Sequence, residues 1–188
     1  GLGIATILAC SFFATISGSS PATVIAIGSI MLPAMINAGY PKRFSVGVIA
    51  TGGSLGILIP PSIVLIIYAV STSQSTGKMF LAGVIPGVLL AVILMSTVYL
   101  TALVKGFPTS EKTCLSSIWN SFKKAIWGLM LVIIVLGGIY GGVFTPTEAA
   151  AVSAVYAFVV AVWVERGLKL ADIKRVLLSA ASTSSMIL

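Results

Sequence analysis

Histidine is absent from this chain, and only four of its 188 residues are acidic. Its two cysteines, Cys10 and Cys114, are far apart in sequence. Without histidine or a cysteine cluster, the ligand sets of zinc and haem sites are missing. Cys10 lies in a hydrophobic run and Cys114 in a predicted cytoplasmic loop, so the two are not placed to form a disulfide. A hydrolytic centre needs a nucleophile with a base, or metal ligands, and a proton-coupled carrier needs a carboxylate or imidazole at membrane depth. The four acids do not supply these. Charge of either sign is scarce at 8% of residues against 58% hydrophobic ones, where a soluble domain carries roughly 25% charged residues. That removes the soluble classes. The net charge of +7 does not indicate nucleic acid, because the basic residues form no patch interleaved with aromatics.

Long charge-free runs take the place of these groups. Residues 1–41, 44–77, 79–104, 125–147 and 149–164 contain no Asp, Glu, Lys or Arg. A helix needs roughly 20 apolar residues to cross a hydrocarbon core about 30 Å thick, so most of these runs can cross or deeply enter a bilayer. The positive-inside rule then sets the threading. With Lys42 and Arg43 cytoplasmic, Lys78 is external, Lys105, Lys112, Lys123 and Lys124 are internal, the turn at Thr145–Glu148 is external, and Arg166, Lys169, Lys174 and Arg175 are internal. The chain opens and stops inside hydrophobic runs, as expected of part of a longer protein.

The runs divide into units. Residues 1–40 predict a helical hairpin, with two apolar arms joined at Ser17-Gly18-Ser19-Ser20-Pro21. Both ends lie on one side whether the hairpin crosses fully or re-enters near the midplane. The turn has small hydroxylated residues and no interfacial marker, which favours re-entry. Residues 41–73 would make a single helix about 50 Å long at 1.5 Å per residue, too long for one straight span and too short for two. Gly52-Gly53-Ser54-Leu55-Gly56 and Pro60-Pro61-Ser62 predict an unwound middle between two half-helices. A span over 79–104 follows, then an amphipathic cytoplasmic connector over 110–125 and a span over 127–144 with Gly137, Gly138, Gly141 and Gly142 as a close-packing face. Another span covers 147–164, and a further membrane segment starts within 170–188.

In the hairpin turn, Ser20 is expected as N-cap and Pro21 as first helical residue, leaving backbone N–H groups aimed at the tip. At membrane depth such groups suit an anion, and unwound carbonyls and hydroxyls suit sodium. An ordinary hairpin turn and a packing kink would account for either break taken alone. Two Gly/Ser-rich breaks in consecutive units, each restarted by proline, fit a secondary-transporter site. Glu148, three residues after Thr145, is expected to close a capping box, and Asn37 to sit at a helix end.

The strings SGSSPATVIAIGSIMLPAMINAGYP, GGSLGILIPPSIVLIIY, FLAGVIPGVLL and GGIYGGVFTPTEAAAVSAVYA resemble, in order, the large membrane subunit of tripartite ATP-independent periplasmic (TRAP) transporters. The segment 105–125 carries no such resemblance. The resemblance implies an all-α integral membrane carrier of inverted-repeat, elevator type, of which this chain holds the first repeat and the scaffold helices after it. It implies a bacterial inner-membrane importer of small organic acid anions, such as C4-dicarboxylates or sialic acid, coupled to sodium and using no other cofactor. Its implied partners are a periplasmic binding protein and a small membrane subunit. Carried over residue by residue, substrate would meet Ser17, Gly18, Ser19, Ser20, Thr23 and Ser54. Sodium would lie between the backbone carbonyls of Ser17 and Ser19 on one side and Gly56, Ile59 and Pro61 on the other. The rival readings are a non-transporting membrane scaffold, another sodium-coupled anion carrier of related architecture, and a membrane enzyme whose catalytic groups lie elsewhere.

Overall fold

The computed structural model describes residues 1–107, 115–164, 167 and 170–187, all in helices and short connections, with no strand among them. Among the described residues, four helical stretches are long and apolar enough to cross a membrane: Ser20–Asn37, Lys42–Ser71, Thr76–Lys105 and Pro146–Val164. The chain is therefore an all-helical integral membrane protein. It divides into two compact units, Gly1–Ala125 and Ile126–Leu188.

The first unit starts with α1 (Leu2–Ser17) and α2 (Ser20–Asn37), the two arms of the hairpin. A broken helix follows as α3 (Lys42–Gly53), the single turn α4 (Leu55–Leu58) and α5 (Ile63–Ser71). Helix α6 (Thr76–Lys105) then runs back along them. It starts three residues before the sequence boundary at 79, because Ser75 is the N-cap and one lysine, Lys78, does not end a helix. It continues through Pro86.

Helix α1 buries Gly3, Ile7, Cys10 and Ala14, a stripe with spacings of three and four, while α6 buries Phe80, Gly83, Gly87, Ala91 and Val98. Ile7, Cys10 and Ala14 of the first stripe and Ala91 and Val98 of the second form one core with Met35, Tyr40, Val48 and Leu55. Such periodicity is the means by which a helix presents one face to its neighbours. Many large apolar side chains on the outside, such as Ile25, Ile85 and Val104, remain exposed, as a lipid-facing surface requires.

Between α5 and α6 the chain turns through Ser73, which holds a left-handed φ of 54°. The amides of Ser73 and Gln74 bond back to Val70 and Ala69, closing the C-terminus of α5 in the manner usually reserved for glycine. Since an L-residue in this region is disfavoured by roughly 1–2 kcal/mol, Ser73→Gly is expected to raise the thermal midpoint of the purified protein slightly. A lowered midpoint would show that the serine side chain contributes more than its backbone strain removes.

The second unit contains most of α7 (Leu115–Tyr140), then α8 (Pro146–Val159), a π-helical turn over Val160–Val164, and α9 (Leu170–Ile187). Helix α7 corrects two boundaries. It runs without interruption from the expected connector into the expected span, because residues 115–126 contain no glycine or proline. Residues 110–114 of that connector lie outside the described residues. The helix also stops at Tyr140, since Gly142 takes a φ of 69° and the amides of Val143 and Phe144 fold back onto the Gly138 carbonyl. The ring of Phe144 rests against Gly138, so that position of the expected glycine face holds the chain's own turn. Helix α8 is tied to α7 by the Tyr156 hydroxyl, which donates to the Trp127 carbonyl at 2.9 Å.

Thr145 and Glu148 form the expected capping box at the start of α8. The Thr145 amide and hydroxyl donate to Glu148 Oε2 at 2.8 and 2.9 Å, and the Glu148 amide donates to Thr145 Oγ1 at 3.3 Å. Glu148 is thus held at a helix end. Replacing Thr145 with alanine should destabilise α8 by about 1 kcal/mol, measurable as faster amide exchange in its first turn; unchanged exchange would remove the capping role.

Candidate functional site at the hairpin tip and helix break

The hairpin turns in two residues. Gly18 closes α1 in the left-handed region, φ 58° and ψ 14°, with its amide bonded to the Ala14 carbonyl at 2.9 Å. Ser19 is extended, φ −136° and ψ 126°, and is the N-cap of α2. The sequence expectation of Ser20 as cap is therefore off by one: Ser20 is the first helical residue and Pro21 the second. Proline is tolerated in the first turn because its missing N–H has no intrahelical partner there. The Ser19 hydroxyl makes no capping bond.

Instead, the hydroxyls of this turn converge on one carbonyl. Ser19 C=O accepts from the Thr23 amide at 3.1 Å and from the Thr23 hydroxyl at 2.8 Å. The Ser17 hydroxyl lies 3.0 Å from Thr23 Oγ1 and 3.3 Å from the Ser19 carbonyl, and the Ser19 amide donates to Ser17 Oγ at 3.4 Å. Ser17 has one hydroxyl proton. Directed at Thr23, the shorter contact, it closes a ring: Ser19 N–H to Ser17 Oγ, Ser17 O–H to Thr23 Oγ1, Thr23 O–H to Ser19 C=O. Each bond in such a ring polarises the next. Thr23 is fully buried, so the ring fixes the direction in which the Ser19 carbonyl points.

The break supplies the opposite wall. It has two steps: a bend at Ser54, which keeps helical angles, and a non-helical stretch over Ile59–Ser62 containing a cis Pro60–Pro61 bond. Backbone accounting shows what the prolines do. The carbonyl of Gly56 would normally accept from the amide four residues on, but that residue is Pro60, which has none. The Ile57 carbonyl faces the same loss at Pro61 and is served by the buried Ser62 hydroxyl at 2.8 Å. The Ile63 amide, the helical donor for Ile59, donates to the Gly18 carbonyl in the hairpin at 3.1 Å. Gly56 and Ile59 thus present carbonyls with no backbone donor among the described residues.

Tip and break touch at two glycines. A Cβ on Gly18 would stand 2.5 Å from the Pro61 carbonyl oxygen, and one on Gly56 would stand 2.8 Å from both the carbonyl carbon and oxygen of Ser19. Only hydrogen fits at either place, and at Gly18 the positive φ adds a second reason for glycine. The structure therefore brings Ser17, Gly18, Ser19 and Thr23 together at the tip and sets Gly56 and Pro61 against them. Ser20 follows at the start of α2. Ile59 stands one turn away, its side chain against Gly87 of α6. The Ser54 hydroxyl donates to the Thr51 carbonyl of its own broken helix at 2.6 Å. Sequence reasoning missed Ser62, although a serine directly after two prolines and before an apolar run is a helix-cap signal.

The order of motifs from tip to break to capping box extends along the whole chain. Residues 1–188 match the profile of the family described as tripartite ATP-independent periplasmic transporter, DctM component. The chain belongs to this family. It is 54% identical over its full length to the C4-dicarboxylate TRAP transporter large permease protein DctM of Rhodobacter capsulatus, covering 46% of that protein. It is 51% identical over its full length to the protein of the same name from Pseudomonas aeruginosa, covering 44% of it. It is 43% identical to the isethionate TRAP transporter permease protein DctMQ of Oleidesulfovibrio alaskensis, covering 30% of that protein. The chain thus spans less than half the length of these TRAP permease relatives.

Proposed function

We propose that this chain carries one half of the ion and substrate site of a sodium-coupled TRAP carrier for small organic anions. The observation behind the reading is that the break leaves backbone carbonyls without a donor, those of Gly56 and Ile59 among them, with Gly56 packed against the Ser19 carbonyl. Bare backbone carbonyls at membrane depth need a partner. A hard cation bound by oxygens is the partner that a region without carboxylates can accommodate. Sodium is then held by the carbonyls of Ser17 and Ser19 from the hairpin and Gly56, Ile59 and Pro61 from the break. The substrate anion sits beside it at the tip, near Ser17–Ser20 and the uncapped start of α2, where the helix dipole favours negative charge. The names of the relatives support the substrate class: C4-dicarboxylates and isethionate, a sulfonate, are both small organic anions.

The tip lies at the level of the break inside the span Lys42–Ser71. That level favours a re-entrant hairpin. In this reading the loops at Lys42-Arg43, Lys105–Lys124 and Arg166–Arg175 face the cytoplasm of a bacterial inner membrane. Hairpin and broken helix move together as a body that carries ion and substrate. A second repeat, a small membrane subunit and a periplasmic binding protein complete the transporter.

The test is uptake of labelled succinate by proteoliposomes that contain the complete permease with its small membrane subunit, supplied with the binding protein. An inward sodium gradient is expected to drive accumulation above equilibrium. Accumulation of equal size with potassium in place of sodium would overturn the coupling. A complete absence of gradient-driven uptake would favour the scaffold reading.

A further inference from the structure

The two long spans of the first unit bring their cationic ends together. Helix α3 starts with Lys42 and Arg43, and α6 ends with Lys105. Between them the rings of Tyr40, Phe44 and Phe107 form one cluster, with centroids 5.0–6.2 Å apart. Since each of these rings lies within two residues of one of the cations, the cluster holds the three charges at the same end of the unit. All three side chains are exposed.

Among the described residues of the unit their charges lack an acidic counter-ion. Residues 1–107 contain no Asp or Glu at all. Lys105 stands at a helix C-terminus, where a cation is favoured, but Lys42 and Arg43 occupy the first turn of α3, where the dipole repels them. That turn has no acidic residue and no side-chain cap. Among the described residues its amides and the two cations are donors that no carboxylate accepts from. Beside them, Leu100, Leu103 and Val104 of α6 are 59%, 61% and 87% exposed, an apolar wall leading away from the charges along the span.

We propose that this end of the unit is a binding site for an anionic phospholipid. The phosphate is received by Arg43, Lys42 and Lys105, and the acyl chains lie along the exposed face of α6. A headgroup phosphate offers several acceptor oxygens, which suits the guanidinium fork and the amides of a helix start. Aromatic rings at such an end belong at the headgroup level. The proposal depends on the chain spanning a membrane and does not depend on sodium coupling or on the substrate.

The experiment is native mass spectrometry of the complete permease released from nanodiscs of equal phosphatidylglycerol and phosphatidylcholine content. Wild type is expected to retain phosphatidylglycerol in preference to phosphatidylcholine. Replacing Lys42, Arg43 and Lys105 together with glutamine is expected to weaken that retention roughly a hundredfold, from the attraction each cation exerts near a membrane surface. The charge-keeping set Lys42→Arg, Arg43→Lys and Lys105→Arg should preserve it. Excess sn-glycerol 3-phosphate should not displace the lipid, because it has no acyl chains. Equal retention of the two lipids by wild type overturns the proposal, whether or not the glutamine variant inserts. Undiminished phosphatidylglycerol in that variant also overturns it, and displacement by sn-glycerol 3-phosphate assigns the site to a free phosphate instead.

Discussion

Gly56→Ala is expected to weaken sodium-dependent uptake while leaving the protein in the membrane at its usual level. The added Cβ would stand 2.8 Å from the carbonyl carbon and oxygen of Ser19 and 3.0 Å from the Ser20 amide nitrogen. These are backbone atoms at a hairpin turn, and they cannot swing aside as a side-chain end could. The hairpin must therefore withdraw from the break, at a cost of about 1–3 kcal/mol by analogy with overpacked cores, which corresponds to a loss of affinity between about fivefold and a hundredfold. Leucine at the same place should abolish uptake outright. Gly47 is the control, since it lies on α3 of the same broken span and a Cβ there meets nothing within 4 Å. Gly47→Ala should be neutral or slightly stabilising, because alanine is the better helix former. The readouts are sodium-driven uptake, membrane abundance, and the sodium concentration that gives half of the ion-induced rise in thermal midpoint. Uptake by Gly56→Leu with unchanged sodium dependence would sink the site assignment.

Thr23→Val should weaken sodium binding about tenfold without altering the packing volume, because a lost hydrogen bond to a buried group is worth roughly 1–3 kcal/mol. The valine keeps the amide bond to Ser19 but opens the hydroxyl ring, leaving the Ser17 proton with only its longer contact to the Ser19 carbonyl. That carbonyl then exchanges a 2.8 Å donor for one at 3.3 Å and is less firmly fixed in direction. Thr23→Ser retains the hydroxyl and should restore the sodium titration. A sodium midpoint unchanged in Thr23→Val would mean that the ring is ordinary turn chemistry.

Much of this site is written in residue types whose effect on the backbone is local. Pro60-Pro61 announces missing donors, and Gly18 and Gly56 announce close approach, so the two breaks can be read without coordinates. The registers are less visible. Ser19 and Ser20 are both able to cap, and the choice depends on where the αL turn at Gly18 leaves the chain. Ser54 looks like a binding hydroxyl beside a glycine pair, yet its helical angles return its proton to Thr51. The boundary between connector and span at 125–127 follows the charges, while α7 continues through it because no glycine or proline stops it. The hydroxyl ring involves residues six apart across the turn, and no periodicity in the sequence encodes it.

The bond from the Ile63 amide to the Gly18 carbonyl makes one hydrogen atom a gauge of the whole unit. An interior helical amide is protected by its own helix, but this one is shielded only while hairpin and half-helix remain joined. Its exchange with deuterated water would therefore record the parting of the two elements, in a bilayer and without any label at the site.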